Sequence, residues 1–246
     1  MPFFDGSQKK IGQGAQAVVY LYKGCAYKVY REDYPKEWIQ GELMTQREIV
    51  KTGLPVVHYA KTEAPNILKM DYIDGITLGD QMLAGSAPNS LQDMVQLQKK
   101  IHTHTNVHLR SLRESALQDL AVLEAAPVRK ARVQAILDTI PEQTNLLHLD
   151  FHFFNIMRAN KRYYIIDWIN ARIGNPVFDF ARSYLLLYEA MPDLAWKYRT
   201  LILSDPAIDT AHWTPAVYVS ALLRLKENSN EATVELIQST ECELFG

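Results

Sequence analysis

Apolar and polar positions alternate over Ala17–Tyr22 and again over Cys25–Tyr30, two runs rich in β-branched and aromatic residues. Lys23-Gly24 between them supplies a turn, so the pattern predicts a β-hairpin. Pro35 marks a helix entry. From Lys36 to Lys51 good helix formers dominate, and Ile39, Leu43, Met44, Ile49 and Val50 form a roughly helical apolar stripe that stops at Thr52-Gly53. Pro55–Tyr59 and Asn66–Ile73 read as two further short strands, the second closing at Asp74-Gly75. The pattern then changes: residues 90–140 lack strand alternation and read as helices broken at Pro127 and Pro141. Leu146–Asp150 and Tyr163–Asp167 are short apolar runs around a polar loop, and the chain from Phe178 onward is helical again. The expected architecture is α+β and bilobal. A small N-terminal antiparallel β-sheet lobe with one helix takes residues 1–72, a connector follows at Asp71–Gly75, and a larger, mostly helical C-terminal lobe takes residues 73–246.

A chain of 246 residues, 48% hydrophobic and 22% charged, has ample material for a buried core, which excludes disorder and fibrous repeats. Lys plus Arg number 26 against 28 Asp plus Glu, and the resulting net charge of −2 gives no global attraction to nucleic acid or an anionic membrane; neither is an expected partner. Runs such as Tyr184–Tyr188 are too short to span a bilayer. Residues 1–10 put their charges after the apolar part and do not read as a secretion signal. Cys25 and Cys242 lie near opposite ends of the chain without metal-type spacing, so reduced thiols in the cytoplasm are expected and a disulfide framework is not.

Three segments carry chemistry. Ile11-Gly-Gln-Gly-Ala-Gln-Ala-Val-Val19 has Gly12, Gly14, Ala17 and Val19 in a G-x-G-x-x-[GA]-x-V pattern. A strand rather than a helix follows it, which argues against a dinucleotide fingerprint and for a flap over phosphates between antiparallel strands. Lys28, in Ala26-Tyr-Lys28 on the next strand, would set a point charge against the α- and β-phosphates, and Glu42 on the following helix is the carboxylate to hold it; Glu48, further along that helix, reads as solvated. His148-x-Asp150-x-x-x-x-Asn155, with Asp167 twelve residues after Asn155, matches the catalytic-loop and metal-loop spacing of the protein-kinase-like fold. In that reading Asp150 orients an acceptor hydroxyl and takes its proton, Asn155 and Asp167 offer hard oxygens to Mg²⁺, and His148 braces the loop. A rival reading takes His148, Asp150 and His152 on one strand face as zinc ligands for hydrolysis. Against it, no further histidine cluster of ligand spacing follows, since His102, His104 and His108 fall on a helix where only His104 and His108 share a face.

These residues resemble the aminoglycoside phosphotransferase and choline kinase superfamily, the small-molecule branch of the protein-kinase-like fold, through nearly the whole chain. The family's H-G-D-x-H-x-x-N and I-D-W patterns stand here as His148-Leu-Asp-Phe-His-Phe-Phe-Asn155 and Ile166-Asp-Trp168. Gly174-Asn-Pro-Val-Phe-Asp-Phe-Ala181 is similar to its G-x-P-x-x-D-x-A segment, which implies that Asp179 anchors the catalytic loop, and His102 resembles its helix-end histidine. Asp71-Tyr-Ile-Asp-Gly75 is similar to the family's connector, which implies adenine recognition by the Asp71 carbonyl and the Ile73 N–H. Leu149, Phe153 and Phe154 depart from the pattern by replacing Gly, Pro and Gly with bulkier residues, so the acceptor's shape does not carry over.

The expectation is thus an ATP- and Mg²⁺-dependent phosphotransferase whose acceptor is a hydroxyl on a small molecule such as an aminoglycoside, choline or sugar. A polycation would call for carboxylates and choline for an aromatic cage. Trp168, Tyr184, Tyr188, Trp196, Tyr198, Trp213 and Tyr218 make a cage conceivable but read first as core, and Glu241 and Glu243 read as a solvated tail. The alternatives are a non-catalytic kinase-like nucleotide-binding module, against which the complete set Lys28, Glu42, Asp150, Asn155 and Asp167 stands, and a kinase acting on protein side chains. The short stretch between Asp167 and Asp179 leaves that last one little room to dock a peptide.

Overall fold

The structure, a computed structural model, describes residues 3–14 and 16–246. Met1 and Pro2 of the N-terminal segment and Ala15 of the glycine segment lie outside the described residues. Contacts gather the chain into two compact units that are not linear in sequence: residues to Gln81 with Phe154–Ile169, and Met82–Phe153 with Asn170–Gly246.

The first unit is built on a five-stranded antiparallel sheet in the order β1-β2-β3-β5-β4, formed by β1 (Lys9–Gln13), β2 (Ala17–Tyr22), β3 (Cys25–Tyr30), β4 (Tyr59–Lys61) and β5 (Ile67–Asp71). The predicted hairpin closes at Lys23 and Gly24, both at positive φ (46° and 76°), the geometry a two-residue turn between twisted strands demands. Helix α1 (Lys36–Val50) buries Ile39 and Leu43 in one cluster with Ala17, Tyr30 and Leu68 of the sheet. Gly53, at φ 74°, ends the turn after it. A smaller antiparallel sheet, in the order β6-β8-β9, joins β6 (Ile76–Thr77), β8 (Ile156–Ala159) and β9 (Arg162–Ile165). Gly75 precedes it where a β-carbon would meet the Arg158 carbonyl oxygen at 2.6 Å, so only glycine lets these backbones approach.

The second unit is helical. It contains α3 (Ser90–His102), α4 (Leu112–Val122), α5 (Pro127–Thr139), α6 (Pro176–Ala190), α7 (Pro192–Ser204), α8 (Trp213–Arg224) and α9 (Glu231–Phe245), and the antiparallel pair β7 (Asn145–Leu147) and β10 (Arg172–Gly174); α2 (Leu78–Leu83) runs into it from the first unit. Local sequence sets the helix starts. The side chains of Ser111, Asn175 and Asn230 accept N–H bonds at the starts of α4, α6 and α9, and Pro127, Pro176 and Pro192 open α5, α6 and α7. Helix α6 is the most deeply set of the nine helices among the described residues, buried along Val177–Leu185 and again at Leu187.

Several expectations shift. The strand predicted at Pro55–Tyr59 begins only at Tyr59. Val56 and Val57 are buried as loop instead, held where Gln46 Nε2 donates to the Val57 carbonyl at 2.6 Å and Ile165 N–H donates to the Pro55 carbonyl at 2.9 Å. His104 and His108 are not on a helix, because α3 ends at His102. Glu241 is not solvated: it pairs with Arg129 and Arg132 and accepts from the Tyr218 hydroxyl at 3.0 Å, while Glu243 accepts from Thr214. Both cysteines are free thiols. Among the described residues no helix is long and apolar enough to cross a membrane.

Candidate active site

The register of the large sheet decides which side chains share a face. Ala17, Val19 and Leu21 sit opposite Tyr30, Lys28 and Ala26, so Ala17, Val19, Ala26 and Lys28 lie on one side, the side carrying Tyr30 and α1. The glycine segment joins β1 to β2. Gly12 pairs with Val19 across a register shift after Lys10, and Gly14 N–H donates to the Ala17 carbonyl at 2.9 Å.

Lys28 is the hub of this unit. Its Nζ lies 2.7 Å from Glu42 Oε1 and 3.2 Å from Asp167 Oδ1. Glu42 uses its second oxygen to accept from the Tyr30 hydroxyl at 2.7 Å. Burial by itself would push the Lys28 ammonium toward neutrality, but Tyr59, Asp167, Glu42 and Tyr30 around it outweigh that and hold its pKa well above the ordinary lysine value. Burial, opposed by Lys28 and reinforced by Glu42, raises the Tyr30 phenol, which stays a donor. The three charged side chains differ in exposure: 13% for Lys28, 2% for Glu42 and 39% for Asp167, so the open member of the triad is the carboxylate of Asp167. Glu48 instead pairs with Lys51 on the surface.

Asp167 is positioned by the β8-β9 hairpin. Ile156 pairs with Ile165, which brings Asn155, just before β8, and Asp167, two residues past β9, to the same end. Ile166 N–H donates to the Asn155 carbonyl at 3.0 Å, and the buried Trp168 indole donates to the Ile165 carbonyl at 3.1 Å, gripping the chain on both sides of Asp167. Asp167 sits at φ 62°, a left-handed conformation costing roughly 1–2 kcal/mol for a residue with a β-carbon, which the surrounding bonds sustain. A side-chain amide oxygen and a carboxylate are hard oxygen donors of the kind Mg²⁺ takes while keeping most of its waters.

In the second unit, β7 delivers His148, Leu149 and Asp150. Asp179, in the first turn of α6 and completely buried, accepts from Leu149 N–H at 2.6 Å through Oδ1 and lies 2.8 Å from His102 Nε2 through Oδ2. Burial would raise its pKa, yet His102, His148 and the Leu149 N–H prevail and hold it below the usual aspartate value. Asp150 N–H donates to His148 Nδ1 at 3.3 Å. One residue on, the Phe151 carbonyl accepts from Ser183, which accepts from Gln98, whose own oxygen accepts from the Tyr198 hydroxyl at 2.6 Å. Leu149 holds φ at 60° where the resembling family has glycine. His152 Nε2 and Asp150 Oδ1 are 4.0 Å apart and His148 is wholly buried, and among the described residues no three His, Cys, Asp or Glu side chains are grouped to hold a metal, so the third ligand a zinc reading needs is not in place.

Asp71 ends β5, its carboxylate taken by the His58 N–H at 2.9 Å and the His58 ring at 2.6 Å, and Ile73 follows beyond the strand. Of the aromatic candidates, Trp168, Tyr184, Tyr198, Trp213 and Tyr218 are buried and Tyr188 is half-buried, while Trp196 is exposed and touches Tyr184 by its edge. Sequence reasoning missed Tyr30, Ser183, Gln98 and Tyr198 as supports of the site. Only the inward alternation of β3 signalled the first of these.

A model of the phosphotransferase enzyme family matches residues 8–196. No curated protein matches the sequence. Among solved structures, the chain is similar to a choline/ethanolamine kinase family protein from Mesorhizobium loti, at 15% identity and a TM-score of 0.70, covering 100% of this chain and 90% of that one. It is also similar to choline kinase LicA from Streptococcus pneumoniae, at 15% identity and a TM-score of 0.65, covering 95% and 91%. A third is aminoglycoside phosphotransferase APH(4)-Ia, at 14% identity and a TM-score of 0.66, covering 96% and 91%. LicA has been solved with AMP, and a thermostable mutant of APH(4)-Ia with AMP-PNP and hygromycin B. At these identities the likeness is one of fold: an α+β, kinase-like architecture with an N-terminal antiparallel sheet and a mostly helical remainder.

Proposed function

Because the chain belongs to the phosphotransferase enzyme family, we propose that it transfers the γ-phosphoryl group of ATP, with Mg²⁺, to a hydroxyl of a small molecule. The observation that carries this reading is the contact of Lys28 with both Glu42 and Asp167, which joins residues 139 positions apart into one charged cluster on the sheet face predicted to meet phosphates. In this reading residues 1–72 handle nucleotide and residues 73–246 supply catalytic and acceptor-binding groups. Lys28 places its ammonium against the α- and β-phosphates, and Glu42, itself fixed by Tyr30, keeps that ammonium from swinging away. Gly12, Gly14, Ala17 and Val19 cover the phosphates, Ala26 packs under the base, and the Asp71 carbonyl and Ile73 N–H recognise adenine. Asn155 and Asp167 are the residues that would hold Mg²⁺, which when bound neutralises charge on the transferring group. Asp150 aligns the acceptor hydroxyl and takes its proton, with His148 and Asp179 fixing the backbone around it. Reduced Cys25 and Cys242 fit action in the cytoplasm.

The test follows transfer from γ-labelled ATP to a panel of sugars, amino alcohols, aminoglycosides and hydroxy acids, beside ATP binding. Asp150→Ala is expected to bind ATP within about twofold of wild type while transfer falls at least ~10²-fold, the scale of a lost general base. Equal transfer by variant and wild type would overturn the assignment, and ATP binding without transfer to any acceptor would favour a non-catalytic module.

A further inference from the structure

The second unit contains an open cavity of about 110 Å³ whose walls come from α4, β10, α6 and α8, with Leu149, the neighbour of Asp150, at one side. Its charged lining is Asp119, Arg172, Arg182 and Glu227. Three of these are matched. Glu227 takes Arg182 at 2.5 Å and Arg224 at 2.7 Å, and Asp119 pairs with Lys226. Arg172 is the remainder. Its Nε donates to Ser115 Oγ at 2.9 Å and its Nη1 to the Ala171 carbonyl at 2.7 Å, and it pairs with no carboxylate among the described residues. Burial and the like charge of Arg110 pull its pKa below the ordinary arginine value, with Asp119 opposing. A half-buried guanidinium that has no carboxylate within ion-pair distance can take an anionic ligand by a charge-assisted bond to its planar donors.

The same lining disfavours a cation. Both carboxylates are already engaged, and among the described residues the only aromatic side chain in the wall is Phe178, itself buried, so these residues form neither a carboxylate ring nor an aromatic cage there.

We propose that this cavity seats the phosphate acceptor and that the acceptor is a small anion, an alcohol bearing a carboxylate or a phosphate that pairs with Arg172. The inference rests on the phosphotransferase reading above. The acceptor oxygen bonds to the γ-phosphorus, the bond from that phosphorus to the β-bridging oxygen breaks with its electron pair leaving on ADP, and the hydroxyl proton passes to Asp150. Arg172 touches the charged end of the acceptor and takes no part in that exchange.

The experiment titrates the full-length protein, without nucleotide, with hydroxy carboxylates (glycerate, malate, gluconate), with glycerol 3-phosphate, and with glycerol, choline and hygromycin B. Transfer from MgATP to the same compounds is measured in parallel for wild type, Arg172→Gln and Asp119→Asn. At least one anion is expected to bind, and whether carboxylates or glycerol 3-phosphate bind tells the two anion types apart. Arg172→Gln should weaken that binding and raise KM about 10- to 100-fold, the loss of a charge-assisted bond. Asp119→Asn should tighten binding a few-fold by removing a negative charge from the wall, and it decides the matter if circular dichroism shows Arg172→Gln unfolded. Binding of none of the anions, preferred turnover of choline, hygromycin B or glycerol, or weaker anion binding in Asp119→Asn would each overturn the anionic assignment while leaving phosphotransfer standing. Arg172-dependent anion binding by a protein that transfers phosphate to nothing supports the cavity's assignment as an anion site and refutes the phosphotransferase reading instead.

Discussion

A carboxylate as enclosed as Asp179 would normally be protonated, and the two hydrogen bonds and two imidazoles that keep it ionised have a measurable consequence. Its folded pKa lies below the unfolded reference of 3.8, so the unfolded chain takes up the proton first as acid is added. The stabilisation is therefore complete above that reference and is lost as the pH falls through the lower folded value. Replacing Asp179 by Asn is expected to cost about 3 kcal/mol near neutral pH and to flatten the loss of stability below pH ~4, read by denaturant melts across pH 2–7. An unchanged acid limb in the variant would mean that Asp179 is not the group responsible. At this scale the sequence was readable where chemistry has a spacing: Lys28 and Glu42 could be paired because one lies on an alternating strand and the other on the helix after it. Asp179 and His102 emerged through family resemblance. Ser183 on α6 and Arg172 on the three-residue β10 were opaque, because a lone hydroxyl or guanidinium gives no pattern until burial and partners are seen.

Elements were legible in proportion to their length and local determination. The β2-β3 hairpin lies where the alternation and its Lys-Gly turn put it, and α1 differs from its predicted end by a residue. Strands β6, β8 and β10 went unread because two to four residues cannot display a period; tertiary pairing creates them. Gly41 and Gly75 make a contrast at this scale. Gly41 is exposed within α1 and a β-carbon there meets nothing, so Gly41→Ala is expected to stabilise by about 0.5–1 kcal/mol through helix propensity and unfolded-state entropy. Gly75→Ala drives a methyl against the Arg158 carbonyl and is expected to destabilise by about 1–3 kcal/mol. Thermal melts of the pair should move in opposite directions, and a shift of the same sign in both would contradict the backbone approach beside β6.

At the scale of the whole molecule, the first unit cannot be cut from the chain by a single boundary, since β8, β9 and Asp167 return to it from beyond residue 153. A fragment ending at Gln81 is expected to lack a cooperative melt, and adding Phe154–Ile169 through a Gly/Ser linker should restore one, seen by far-ultraviolet circular dichroism. A fragment that melts cooperatively without the addition would refute this dependence. The division into a sheet-rich and a helical part was legible from the change of pattern after Gly75; the return of a distant hairpin was not, because nothing local announces it. The four tryptophans fall into two classes: Trp38 and Trp196 are exposed, Trp168 and Trp213 buried. Acrylamide should therefore quench the first two and spare the others, and with Trp213 replaced by Phe the surviving emission comes from the indole clamped next to Asp167. The chain carries its own optical reporter beside the carboxylate proposed to hold magnesium, so titrating the metal with nucleotide becomes a fluorescence measurement that needs no label.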